Sequence, residues 1–204
     1  MIKNIIFDVD GTLIDTTHVN IKGLKKILAD ENINKCLDDL MDYDGLPGQK
    51  ALELLGVNNI DRLHKNWVSY VNEHKEDFRI YYAIPSVLKL LCSNYNLSLV
   101  TSRTRSEIVT DEKLIYLMKY FQGYVCSDDT IRHKPEPDPI LEAIDRYGYN
   151  KEETIYIGDS HHDYKSASRS GIRFFKAEWG RKKFDVTEPH VCLKTPIDLI
   201  MYLE

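Results

Sequence analysis

Two carboxylates one residue apart, Asp8 and Asp10, close the apolar run Ile5-Ile6-Phe7 and lead directly into Gly11-Thr12. A hydrophobic segment ending in Asp-x-Asp-Gly-Thr puts both acids at the carboxyl end of a buried strand, where open α/β sheets keep their active sites. Carboxylates that close repel one another unless a positive charge lies between them. Oxygen-only ligation suits a hard divalent cation such as Mg²⁺. An Asp-Gly turn after a strand is common in itself; the matching residues downstream set this one apart.

Three further segments supply those residues. Ser98-Leu99-Val100-Thr101-Ser102-Arg103 runs from an apolar strand into hydroxyls and a turn. Backbone N–H groups of such a turn, with Thr101 and Ser102, can hold phosphate oxygens, although a Thr-Ser turn also serves as a helix cap. His133-Lys134-Pro135-Glu136-Pro137-Asp138-Pro139 restrains one lysine on both flanks at the start of a helix. A fixed ammonium there can neutralise a phosphoryl group and the carboxylate attacking it, whereas the other lysines read as solvated surface charges. Finally, Ile155-Tyr156-Ile157-Gly158-Asp159-Ser160-His161-His162-Asp163 presents a third acid after a glycine that permits close approach. Asp8, the backbone carbonyl of Asp10, and Asp159 can share one Mg²⁺, with Asp163 one helical turn on to orient metal-bound waters. Adjacent histidines diverge on a helix, so His161-His162 is set aside as a ligand pair.

The elements needed to position these groups are legible as periodicity. Ile21, Leu24, Ile27 and Leu28 recur at helical spacing, as do Ala51, Leu52, Leu54 and Leu55 after Pro47-Gly48, and Ile60, Leu63, Trp67 and Val71. That last stripe fits the core of a small helical bundle better than a ligand site. From Tyr82 onward strands and helices alternate: a helix over Val87 to Cys92, a strand over Leu97 to Thr101, and a helix over Glu107 to Phe121. A short strand at Tyr124-Val125-Cys126 precedes a helix over Asp138 to Tyr147 and a strand over Thr154 to Ile157. A helix over Tyr164 to Ser170 and a strand over Arg173 to Phe175 complete the alternation. A strand near Val191 and a helix at Ile197 to Tyr202 are expected in the tail. This pattern predicts an α/β fold, a Rossmann-like doubly wound parallel sheet with an inserted all-α domain. The expected boundaries are 1–15 with 82–204 for the α/β core and 16–81 for the helical insert, with hinges near Asp15-Thr16 and Arg79–Tyr82.

Composition sets the outer limits. A chain of 204 residues that is 43% hydrophobic can bury one substantial core. A net charge of −5 without long basic blocks argues against nucleic acid and against an anionic membrane surface. No stretch approaches the ~18 apolar residues of a membrane span, and a core strand stands where a secretory signal would, so the expected location is cytoplasmic. Cys36, Cys92, Cys126 and Cys192 lack metal-ligand spacing and read as buried free thiols. The expected partner is a small phosphorylated metabolite, and the expected state a monomer or weak homodimer.

In their order, Asp8-x-Asp10-Gly11-Thr12, Thr101-Ser102, Lys134-Pro135 and Gly158-Asp159-Ser160-x-x-Asp163 resemble the four motifs of the haloacid dehalogenase-like hydrolase superfamily. The resemblance spans nearly the whole chain. The helical insert resembles that superfamily's small α-helical cap, and Gly45-Leu46-Pro47-Gly48 is similar to the substrate-specificity loop of phosphoglycolate phosphatase-like members. The resemblance implies Asp8 as nucleophile, forming an aspartyl-phosphate that water hydrolyses, and Asp10 as acid and then base. It further implies Lys134, Thr101 and Ser102 on the phosphoryl group, a Mg²⁺ site at Asp8, Asp10, Asp159 and Asp163, and a cap that closes over a phosphomonoester. Asp10 argues against haloacid dehalogenases and phosphonoacetaldehyde hydrolases, which lack that second acid; Lys22, Lys25 and Lys26 would be the latter's candidate Schiff-base lysines. A β-phosphoglucomutase-type phosphomutase is the runner-up, disfavoured by Thr12 and Asn20. A phospho-accepting signalling module would carry its acids in another order, and a non-catalytic binding protein would have lost a motif residue. Ser86 and the polar run Ala167-Ser168-Arg169-Ser170 depart from the family pattern outside the chemistry, and Glu178-Trp179-Gly180 resembles a loop near the active site.

Overall fold

The computed structural model describes residues 1–44, 46–180 and 190–203. In chain order β1 (Asn4–Phe7) and β2 (Ile14–Asp15) precede four helices, α1 (Thr17–Asp30), α2 (Leu37–Leu40), α3 (Gly48–Leu54) and α4 (Ile60–Glu73). Next come β3 (Arg79–Ile80), α5 (Ile84–Leu91), β4 (Asn96–Val100), α6 (Arg105–Val109), α7 (Glu112–Met118) and β5 (Tyr124–Val125). The chain continues through α8 (Asp138–Tyr147), β6 (Thr154–Gly158), α9 (His161–Ser170), β7 (Arg173–Ala177), β8 (Val191–Leu193) and α10 (Asp198–Leu203). Among the described residues, no helix is long and apolar enough to cross a membrane.

Packing divides the chain into two compact units, residues 1–15 with 80–204, and residues 16–79. The first is an α/β unit around a six-stranded sheet of order β5-β4-β1-β6-β7-β8, with every registered pair parallel. β1 lies at its centre, Ile5 opposite Leu97 on one side and Ile155 on the other. Its four residues are all buried because both faces of a parallel sheet are covered, which is why the strand reads as a continuous apolar run. One face packs Ile6, Val100, Tyr156 and Phe174 against Ile140 and Ala143 of α8 and Ala167 of α9. At the amino ends of the strands a polar ladder closes the sheet: Gln122 donates to Asn96, Asn96 to Asn4, and Asn4 to Thr154. At its carboxyl ends β4, β1 and β6 lead into Thr101, Asp8 and Asp159.

The second unit is helical. Ile21, Leu24, Ile27 and Leu28 of α1 pack with Ala51 and Leu52 of α3 and Leu63 and Trp67 of α4, burying the predicted stripes. Gly23 is the residue that lets α1 and α4 approach, since a Cβ there would stand 2.7 Å from the Tyr70 ring. Trp67 completes the contact by donating its indole N–H to the carbonyl of Asn20 at 3.0 Å.

Three expectations need correction. The single helix expected over Glu107 to Phe121 is two, α6 and α7, because Asp111 accepts the N–H groups of Lys113 and Leu114 and starts a new helix there. The helix expected from Tyr164 begins at His161, where Ser160 caps it. Of the four free thiols only Cys126 is buried; Cys36, Cys92 and Cys192 are exposed.

Candidate active site

β4, β1 and β6 are adjacent, and each ends in a polar residue: Thr101, Asp8 and Asp159. The ends stay in register because the Asp8 N–H donates to the carbonyl of Ile157 at 2.8 Å and the Thr101 N–H to that of Val125 at 3.0 Å. Beyond Asp8 the chain turns sharply through Gly11, whose φ of +85° suits glycine alone among common residues. A Cβ on Gly11 would also lie 2.0 Å from Asp159 Oδ2, and one on Gly180 would lie 2.6 Å from Asp159 Cβ. Two glycines thus leave room for one carboxylate. The Trp179-Gly180 loop is anchored here by an indole N–H donated to the carbonyl of Thr12 at 2.8 Å.

Asp163 reaches the same place from α9. Ser160 and Asp163 form a capping box, the Ser160 hydroxyl accepting the Asp163 N–H while Asp163 Oδ2 accepts from the N–H and hydroxyl of Ser160. Side-chain oxygens of Asp8, Asp159 and Asp163 come within 4.8 Å of one another. Lys134, brought in after β5, donates to Asp8 Oδ1 at 2.6 Å and Asp163 Oδ1 at 2.7 Å.

None of these four charged residues exceeds 5% exposure, so their charges must be balanced inside the protein. Among the described residues, three carboxylates and one ammonium meet in this cluster. Burial pushes the Asp8 carboxyl up to about 7, Asp163 adds to the rise, and Lys134 opposes it. Burial also works against the Lys134 ammonium, but Asp163 and Asp8 outweigh it and hold that group charged. The donor set is all hard oxygen and buried, which fits a divalent metal ion. Among the described residues, Asp8, Asp159 and Asp163 are side chains placed to hold one.

Asp10 stands apart from this cluster. Both of its oxygens accept from Arg103, at 2.9 Å from Nε and 2.7 Å from Nη2, and the same guanidinium donates to Asp111 at 2.7 Å. The Arg103 N–H in turn donates to Thr101 Oγ1 at 3.2 Å. Ser102 is half-buried beside them. Arg103, Asp111 and Tyr156 are the participants that sequence reading missed. The available signals were an arginine two residues past the Thr101 hydroxyl, an Asp at a helix-start position, and a hydroxyl-bearing aromatic in the strand leading to Asp159.

The remaining candidates lie in the helical unit. Leu46 and Pro47 precede α3, Gly48 opens it, and Gly45 falls outside the described residues. A Cβ on Gly48 would meet the His64 ring at 2.6 Å, so glycine is needed there for packing within that unit.

A parallel sheet with acids, a hydroxyl and a lysine converging at its carboxyl edge is an arrangement built for hydrolytic chemistry. The family model for haloacid dehalogenase-like hydrolases matches residues 5–177, and the chain belongs to that family of enzymes. It is 26% identical over 183 residues to the pyrophosphatase PpaX of Oceanobacillus iheyensis, covering 89% of this chain and 86% of the relative. The pyrophosphatase PpaX of Anoxybacillus flavithermus is 26% identical over 211 residues, covering 99% and 97%. Among solved structures, one from Lactobacillus plantarum superposes with a TM-score of 0.90 at 23% identity, covering 98% of this chain and 99% of the other. A predicted phosphoglycolate phosphatase from Haemophilus somnus superposes with a TM-score of 0.86 at 18% identity, covering 100% and 98%. These superpositions establish the shared fold.

Proposed function

We propose that this protein is a Mg²⁺-dependent phosphatase that hydrolyses a small phosphomonoester through an aspartyl-phosphate on Asp8. The observation that carries the reading is the placement of Asp8 at the end of the central strand, 2.6 Å from Lys134 Nζ and within reach of Asp159 and Asp163. Phosphoryl transfer needs positioning and charge neutralisation more than covalent help. Asp8 attacks phosphorus, its oxygen forming the new P–O bond as the bond to the leaving oxygen breaks. Lys134 stays charged beside Asp8 Oδ1 and offsets the negative charge of the phosphoryl oxygens brought up to that nucleophile. Asp10, protonated and released from the Arg103 pair, supplies the proton the leaving oxygen takes, then accepts one from the water that cleaves the aspartyl-phosphate. Thr101, Ser102 and the backbone amides after β4 bind the phosphoryl oxygens. When bound, Mg²⁺ held by Asp8, the carbonyl of Asp10 and Asp159, with Asp163 in support, lowers the charge repulsion between phosphoryl group and nucleophile.

The helical unit, as a cap, reads the leaving group, with the segment from 45 to 48 as its specificity loop. The relatives named pyrophosphatase favour inorganic pyrophosphate, whose leaving group is orthophosphate, as a second substrate to be tested beside 2-phosphoglycolate. The test is hydrolysis of p-nitrophenyl phosphate with Mg²⁺, with EDTA, and by Asp8→Asn. Metal-dependent turnover lost in the variant is the expected result; turnover that survives both EDTA and Asp8→Asn would refute the mechanism.

A further inference from the structure

Tyr156 sits in β6 with its ring fully buried, two residues before Gly158. A phenylalanine would fill nearly the same volume, so the hydroxyl calls for its own explanation. Its oxygen lies 3.2 Å from Lys134 Nζ, 2.9 Å from Asp163 Oδ1 and 3.4 Å from the carbonyl of Val100. An ammonium only donates, so the phenol accepts from Lys134 and sends its single proton to the nearer acceptor, Asp163.

Lys134 is therefore contested. Asp8 and Asp163 hold it at 2.6 Å and 2.7 Å, nearly equal distances, and only Asp8 is the proposed nucleophile. The phenol acts on both sides of that contest. Its proton satisfies part of Asp163 Oδ1 and weakens the pull of that oxygen on the ammonium. Its oxygen takes one N–H and fixes the direction of the others. Without the hydroxyl, Asp163 Oδ1 loses a donor and draws Lys134 away from Asp8. In a buried site a shift of a fraction of an ångström is felt, because charges there are poorly screened.

We propose that Tyr156 is a positioning residue that keeps Lys134 on Asp8, and hence on the phosphoryl group, instead of on Asp163. The inference rests on the reading of Lys134 as the phosphoryl-neutralising group. The test compares Tyr156→Phe with wild type in three measurements: kcat and KM for p-nitrophenyl phosphate, inhibition by tungstate as a phosphoryl mimic, and half-saturation by Mg²⁺. The expected result is a fall in kcat/KM of about tenfold with tungstate binding weakened at least fivefold, while Mg²⁺ half-saturation moves less than threefold. A merely structural hydroxyl would change thermal stability and leave these ratios alone. A fall in kcat/KM of less than fivefold overturns the proposal, as does a loss confined to Mg²⁺ half-saturation, which would make Asp163 the beneficiary. Should the variant not fold, Ser160→Ala, which removes the hydroxyl donor to the other Asp163 oxygen and leaves the backbone N–H in place, is expected to lower kcat/KM in the same sense, and unchanged kinetics there overturn the proposal. A wild-type protein without Mg²⁺-dependent turnover fails at the underlying reading, an outcome separate from these.

Discussion

One guanidinium, that of Arg103, carries two carboxylates from segments far apart in the chain, Asp10 and Asp111. With only a tenth of its side chain exposed, it is barely screened by solvent, and Asp10 and Asp111 raise its hold on its proton against the effect of burial. Removing such a partner leaves charges stranded in a poorly solvated place, so Arg103→Met is expected to lower unfolding free energy by about 3–5 kcal/mol. Arg103→Lys should recover only part of this, because an ammonium cannot meet Asp10 at two points and Asp111 at once. Urea denaturation of both variants checks the pair, and a loss below about 1 kcal/mol for Arg103→Met would mean that the ion pairs are worth no more than exposed ones. Arg103 was unreadable as a partner because nothing local distinguishes an arginine that pairs 93 positions back from one that faces water.

Among elements, the turn between β5 and α8 shows how one carboxylate can hold several together. Asp129 accepts from the N–H of Cys126 at 2.8 Å, from Arg105 of α6 at 2.7 Å and, more distantly, from Arg146 of α8. Burial opposes its ionisation, yet the Cys126 and Arg146 donors prevail and hold the carboxyl at about 2. A lowered carboxyl favours the folded state above the ordinary value of 3.8, and that stabilisation fades as pH falls toward 2. Asp129→Asn is therefore expected to cost about 1–3 kcal/mol at pH 7, with the gap from wild type narrowing below pH 4. Denaturation at pH 7 and pH 3 measures both parts, and a gap that does not change with pH would remove the ionic account. At this scale the sequence was largely legible, since alternating β and α periods survive single-residue noise. The break between α6 and α7 was missed because both flanks keep the same helical period, and only the capture of two backbone N–H groups by Asp111 divides them.

For the molecule as a whole, the burial of Asp8 beside Asp163 ties stability to pH and to metal. An acid raised from 3.8 to about 7 favours the folded state most below the lower value, and this contribution is lost as pH climbs through the higher one. Without divalent cation, the contribution of Asp8 to stability should therefore decline between about pH 4 and pH 7. A cation that binds only the folded form adds stability by mass action, most strongly once Asp8 is ionised. The thermal midpoint with EDTA is expected to be lower at pH 8 than at pH 6, and Mg²⁺ to raise it more at pH 8. Equal Mg²⁺ shifts at the two values, or none, would contradict this coupling.

The amino-acid sequence alone determined the fold class and the identity of the acids and lysine at the sheet's carboxyl edge. Those properties follow from local period, from the turn at Gly11 and the close approach that Gly158 permits, and from the order in which strands lead into polar residues. Only the tertiary structure decided how the charges are partnered. Asp10 rests on Arg103, Lys134 is divided between Asp8 and Asp163, and Tyr156 reaches into that division. The physical reason is distance along the chain. A partner 126 residues away, as Lys134 is from Asp8, is chosen by strand register and close packing, and neither is written in the neighbourhood of either residue.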